Sequence, residues 1–227
     1  MTRTDIAVQN NIAWCAAICE LYGVVHTSEG QLWGTLAPAP PFHPDLITAT
    51  ADATTEDVKK WLEGRKVSGL KDSYAKLDMA PLGLRLLFEA QWMTSDPSAD
   101  HRAAADETAW TIVATERELA RWAAAGDMPH LMKPELLQRQ DVKVFMRESN
   151  GGVSGFIANV SEGAVGISNV FATTTDSSSN TLWSSIAAAS SAHFPGIPLV
   201  GYEHGETLDA ALQAGWTAIG PLRVWVR

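Results

Sequence analysis

The first sustained apolar pattern along the chain lies between Ile12 and Tyr22, where Ile12, Cys15, Ala16, Cys19 and Tyr22 share one face at helical spacing. Gly23 closes that helix. Residues 23–36 (GVVHTSEGQLWGTL) predict a hairpin, two β-prone runs turning through Ser28, Glu29 and Gly30. A proline-rich connection with Pro38, Pro40, Pro41 and Pro44 leads to a short strand at 45–50. A helix then opens at Thr54 or Thr55, with Glu56 and Asp57 in its first turn and Val58, Trp61 and Leu62 on its buried face. Residues 71–79 fit a short helix or a loop, and 83–93 (GLRLLFEAQWM) predict a strongly apolar strand. Polar and small residues at 95–107 break the pattern, which sets an expected division into an N-terminal α/β subdomain, 1–107, and a second domain, 108–227.

The second half predicts strand, helix, three strands, helix, strand, helix and two closing strands. They start with a strand at 110–114 and a helix at 116–125, and a short helix comes next around Pro134. Strands at 142–148 and 153–160 flank Asn150, Gly151 and Gly152, a strong hairpin turn, and a third strand comes after them at 164–172. A helix at 180–192, a strand at 199–202, a helix at 206–214 and a strand pair around Gly220 and Pro221 complete the pattern, with no repeat at a solenoid period.

This order, together with VGISNVFA (165–172), IPLVGYE (197–203), LDAALQAGW and the terminal PLRVWV, resembles the GNAT (Gcn5-related N-acetyltransferase) superfamily over residues 109–227. The resemblance implies an α/β (α+β) fold with a mixed, mostly antiparallel sheet flanked by helices, and the first half is then a candidate second, degenerate GNAT-like lobe. It also implies an acetyl-CoA or other acyl-CoA site. In that family the pantetheine arm pairs with the edge of a strand that here corresponds to Ser168, Asn169, Val170, Phe171 and Ala172. The family's glycine loop for the pyrophosphate is replaced by TTTDSSSNTLW (173–183), so Ser177, Ser178, Ser179, Asn180 and Thr181 are the donors available, beside an Asp176 of unfavourable charge. The family's acid tyrosine corresponds to Ala211. Tyr202, Glu203 and His204, at the end of the preceding strand, are therefore the candidates for proton transfer.

Composition narrows the functions further. A net charge of -9, from 26 acids and 17 bases, excludes a basic face for a nucleic-acid backbone. No apolar run approaches the roughly 18–20 residues of a membrane span and no leader pattern opens the chain, so a cytoplasmic protein is expected. The six histidines show no metal spacing, and Cys15 and Cys19 suit packing better than redox chemistry. Lys71, Asp72 and Tyr74 form a polar cluster that could bind a small-molecule substrate, or could be a solvated turn. The expectation is thus an N-acyltransferase acting on a small amine, with a non-catalytic binding module as the alternative; oligomeric state is open.

Overall fold

The computed structural model describes residues 1–96, 110–128, 132–149, 151–174 and 179–227, the side chains of 179 and 180 excepted. Two compact units result, one comprising Met1–Trp92 with Ile219–Arg227, the other Met93–Ala218. Most of the stretch 95–107, where the sequence pattern breaks, lies outside the described residues.

The first unit opens with α1 (Arg3–Tyr22), which begins well before the apolar pattern at Ile12. Thr2 and Asp5 form a reciprocal cap at its start, and Gly23, at φ 67°, ends it. Polar residues in its first half hid it from a hydrophobic reading because they are engaged with other elements. Gln9 Nε2 donates to the Ala49 carbonyl at 2.7 Å, Asn11 Oδ1 accepts from Lys71 Nζ at 2.7 Å, and Asn10 is buried. Trp14, Ala17 and Ile18 are buried alongside Ile12, Cys15 and Cys19, so the helix is covered on more than the single expected face.

The expected hairpin forms from β1 (His26–Glu29) and β2 (Leu32–Thr35), turning at Gly30 with φ 59°. β3 (Leu46–Thr48) pairs antiparallel with β2. A capping box of Thr54 and Asp57 then starts α2 (Thr55–Leu62), whose Val58 and Trp61 are buried. Replacing Thr54 by Ala removes this cap and is expected to cost about 1 kcal/mol in chemical denaturation. Next, β4 (Gly69–Asp72) runs parallel to β3, with Leu46 opposite Leu70 and Ile47 opposite Lys71. Lys71 and Asp72 thus end a strand, where a helix or solvated turn was expected, because their polar groups find partners inside the unit. With β5 (Arg85–Ser95) and β11 (Thr217–Val226), the strand order is β1-β2-β3-β4-β11-β5. Leu32, Leu46, Val58, Trp61, Leu70 and Trp225 pack one core cluster here.

β11 corrects a second expectation, since it is continuous through Gly220 and Pro221 where a strand pair was expected. Gly220 serves close approach, not a turn: the Ile219 carbonyl accepts from Thr4 Oγ1 at 2.6 Å, and a Cβ on Gly220 would lie 3.3 Å from that hydroxyl.

The second unit keeps closely to the expected order. β6 (Thr111–Ile112) is shorter than the predicted strand and precedes α3 (Glu116–Ala125) and a 3-10 turn at Pro134–Gln138. β7 (Val142–Ser149), β8 (Gly152–Ser161) and β9 (Ala164–Ala172) form an antiparallel run. After α4 (Ser179–His193), β10 (Leu199–Glu203) pairs parallel with β9 and leads into α5 (Gly205–Gln213), giving the order β10-β9-β8-β7-β6. Phe145, Phe156, Val165, Leu199, Trp183 and Ile186 lie in one core cluster here.

The two units share a plan that no sequence period betrays. In each, three antiparallel strands are succeeded by a helix and a fourth strand parallel to the third: β1-β2-β3, α2, β4 in one and β7-β8-β9, α4, β10 in the other. No helix among the described residues is long and apolar enough to cross a membrane.

Candidate functional site

The β9–β10 pair holds together for only a short distance, at Val165 opposite Leu199 and Gly166 opposite Val200. One step further a Cβ on Gly201 would stand 3.0 Å from the Ile167 carbonyl, so the strands are still close there and a side chain would push them apart. Beyond that level β9 runs on to Ala172 along β8, Ser168 facing Ile157, Phe171 facing Gly155 and Ala172 facing Ser154. The register shifts on the way. Asn169 and Val170 together oppose the single residue Phe156, a β-bulge, and Asn169 takes a left-handed φ of 53° to make it. A bulge adds twist and re-aims the strand, here in the stretch where β9 parts from β10. The result is an open strand edge, whose backbone groups can pair with an extended ligand carrying amides.

Phe171 packs edge-on against Trp122 of α3 at 5.1 Å, over the space left by Gly155. Trp183 and Trp216 meet edge-on at 5.3 Å inside the core, both almost fully buried. Asn169 donates its side-chain amide to Met128 Sδ at 3.3 Å, and Ser168 Oγ is buried with no hydrogen-bond partner among the described residues.

Tyr202 and Glu203 end β10 and His204 caps α5, so all three sit where the parallel strand leaves its neighbour. Glu203 is half-buried, and burial pushes its carboxyl up from 4.5 to about 7, against the downward pull of the His204 backbone N–H. A carboxyl poised there exchanges protons readily at neutral pH. Alternation along the strand sends Tyr202 and Glu203 to opposite faces. His204 is exposed.

The remaining candidates divide. Ser177 and Ser178 lie outside the described residues; Ser179 and Asn180 begin α4, and Thr181 is exposed in its first turn. Lys71, Asp72 and Tyr74 belong to the first unit and hold its structure. Lys71 is 3 % exposed and Asp72 1 %, which corrects the expectation of a solvated turn. Asp72 accepts from the backbone N–H groups of Leu77 at 2.8 Å and Tyr74 at 3.4 Å, while the Tyr74 hydroxyl donates to Asp5 Oδ1 at 2.9 Å. Burial raises the thiols of both Cys15 and Cys19, the latter to about 12, as inert packing groups require. No cluster of metal-binding side chains occurs among the described residues.

Two features carry no clear mark in the sequence. Gly155 and Trp122 jointly make the seat for Phe171, and nothing in either local pattern couples positions so far apart. Arg147 is buried on β7, its guanidinium 4.8 Å over the Trp110 ring and bonded to Ser185 Oγ at 3.2 Å. Its only sequence signal is a charge at an inward position of the VKVFMRES strand.

No protein-family model matches the chain, and no curated protein sequence does. Solved structures do. A functionally unknown conserved protein from Staphylococcus epidermidis matches with a TM-score of 0.64 at 11% identity, over 88% of this chain and 92% of that one. A GCN5-related N-acetyltransferase from Kribbella flavida matches with a TM-score of 0.60 at 12% identity, over 97% and 95%. A GCN5-related N-acetyltransferase-like protein from Streptococcus suis matches with a TM-score of 0.57 at 15% identity, over 99% and 98%. These likenesses span both units, and with the bulged, parting strands of the second unit they identify the fold of this chain as that of the GNAT acetyltransferases.

Proposed function

We propose that this protein is an acyl-CoA-dependent N-acyltransferase, with acetyl-CoA as the donor and a small primary amine as the acceptor. The observation that carries this reading is the bulged edge of β9 where it parts from β10. The pantetheine amides of the donor pair with the backbone of residues 168–172, and the donor supplies an activated thioester. The amine nitrogen attacks the thioester carbonyl, the C–N bond forms and the C–S bond breaks. Glu203 takes the ammonium proton, and the departing thiolate is protonated from a neighbouring donor, for which His204, just past the strand end, is the candidate, since Tyr202 lies on the opposite face of β10 from Glu203. The net charge of -9 favours a cationic acceptor over an anionic one.

Incubation with acetyl-CoA and a panel of primary amines, with free CoA thiol as the readout, tests this. Amine-dependent thiol release is the expected result; its absence across the panel would remove the catalytic claim. One observation favours a second reading, a binding module without turnover: Ala211, where the resemblance would put an acid tyrosine, is fully buried in the core. That reading predicts saturable acetyl-CoA binding without thiol release.

A further inference from the structure

The first unit repeats the plan of the second, so the edge of β3 is the counterpart of the edge of β9. The parallel registers align them. Leu46 and Ile47 face Leu70 and Lys71 as Val165 and Gly166 face Leu199 and Val200. Past these pairs the units diverge. β9 continues to Ala172, whereas β3 ends at Thr48.

From Thr48 onward the first unit uses up its own edge. Thr48 Oγ1 accepts the Ser73 N–H at 2.7 Å and so stitches the end of β3 to the end of β4, at residues 1 % and 0 % exposed. Ser73 in turn offers its carbonyl to Trp92 Nε1 at 2.7 Å. The Ala49 N–H donates to the Gln31 carbonyl at 2.8 Å, one more rung of the ladder with β2, and the Ala49 carbonyl accepts from Gln9 Nε2 at 2.7 Å. The Ala51 carbonyl accepts from Lys76 Nζ at 3.0 Å, and α2 begins directly afterwards at Thr55. A ligand amide entering between the strand ends would have to break the Thr48–Ser73 bond, and the Ser73 N–H, already satisfied internally, gains nothing from exchanging partners.

We infer that the chain has one acyl-donor site and not two: the counterpart edge in the first unit is sealed by the chain's own side chains, and the donor binds on β9 alone. This rests on the donor reading of β9. The sealed unit contributes framework, which accounts for Lys76, Gln9 and Thr48 being spent on backbone groups of a strand end.

Hydrogen exchange with and without saturating acetyl-CoA, combined with calorimetric stoichiometry, tests the inference. One equivalent per chain is expected, with amides at 168–172 slowed by about tenfold or more and those at 46–51 unchanged. Two equivalents, or ligand-induced protection at 46–51, would overturn it. Should no acetyl-CoA bind at all, the donor reading fails by itself, and the ligand-free protein decides the rest. Slow exchange at Ser73 upholds the seal, and exchange there as fast as at 168–172 overturns it. Thr48→Val, which removes the acceptor for Ser73, is expected to speed exchange at Ser73 while leaving stoichiometry and thiol release unchanged.

Discussion

Glu203→Gln is expected to lower the rate of acyl transfer by roughly 10²- to 10⁴-fold, the range that a positioned acid or base contributes. Wild-type activity should rise with pH through about 7 as the carboxyl ionises, and the variant should lose that limb while still binding acetyl-CoA. The same residue makes a signed prediction about stability. Its folded value, about 7, lies above its ordinary 4.5, so the folded protein holds the proton more tightly than the unfolded chain. The resulting stabilisation is fully present below pH 4.5 and is lost as pH rises through 7. Gln carries no charge at any pH. The stability difference between variant and wild type should therefore shift in favour of Gln between pH 4.5 and 8, by up to roughly 3 kcal/mol and less where water reaches the carboxylate. Urea denaturation at the two pH values reads this directly. A pH-independent difference would show that Glu203 is solvated, and would remove the basis for its role in proton transfer.

The second large effect is mechanical. A Cβ at position 155 would lie 2.2 Å from Trp122 Nε1 and 2.5 Å from the Phe171 ring. Neither ring can retreat easily, because the Trp122 indole N–H is bonded to the Phe145 carbonyl at 2.9 Å and is fully buried, and Phe171 leans on that indole. Gly155→Ala is accordingly expected to destabilise the second unit by about 2–4 kcal/mol, at or above the usual cost of overpacking. It should also weaken acetyl-CoA binding, since Gly155 faces Phe171 across the bulge. A thermal melt and a titration check both. Pairing it with Phe171→Leu, which shortens one of the two obstacles, should recover part of the loss, so the double variant should be less than additive. Strict additivity would show that the two positions do not share this space.

The elements of the second unit were legible because each carries a strong local signal. The turn signal of Asn150, Gly151 and Gly152 predicts the hairpin that β7 and β8 form, and the helices stand at the expected places. The strand edge and the proton-transfer candidates came from that order and from the resemblance. The bulge at Asn169 was not legible, since a left-handed asparagine inside a strand looks like any other polar residue in the sequence. Nor was the value of Glu203, which depends on how deeply the end of β10 is covered.

In the first unit the failures share a cause. Asn10, Lys71 and Asp72 are buried polar residues and Gln9 and Asn11 bond partners far along the chain, whereas a reading based on local polarity assigns such residues to the surface. The shared plan of the two units stayed hidden for a related reason. α2 spans eight residues and α4 fifteen, β3 three and β9 nine, so the repetition lies in pairing direction and order, which no residue period reports.

Calorimetric titration with acetyl-CoA reads donor binding at the edge of β9. Saturable heat with a Kd on the order of micromolar is the predicted result, with weaker binding by Gly155→Ala. No heat at millimolar acetyl-CoA would contradict it.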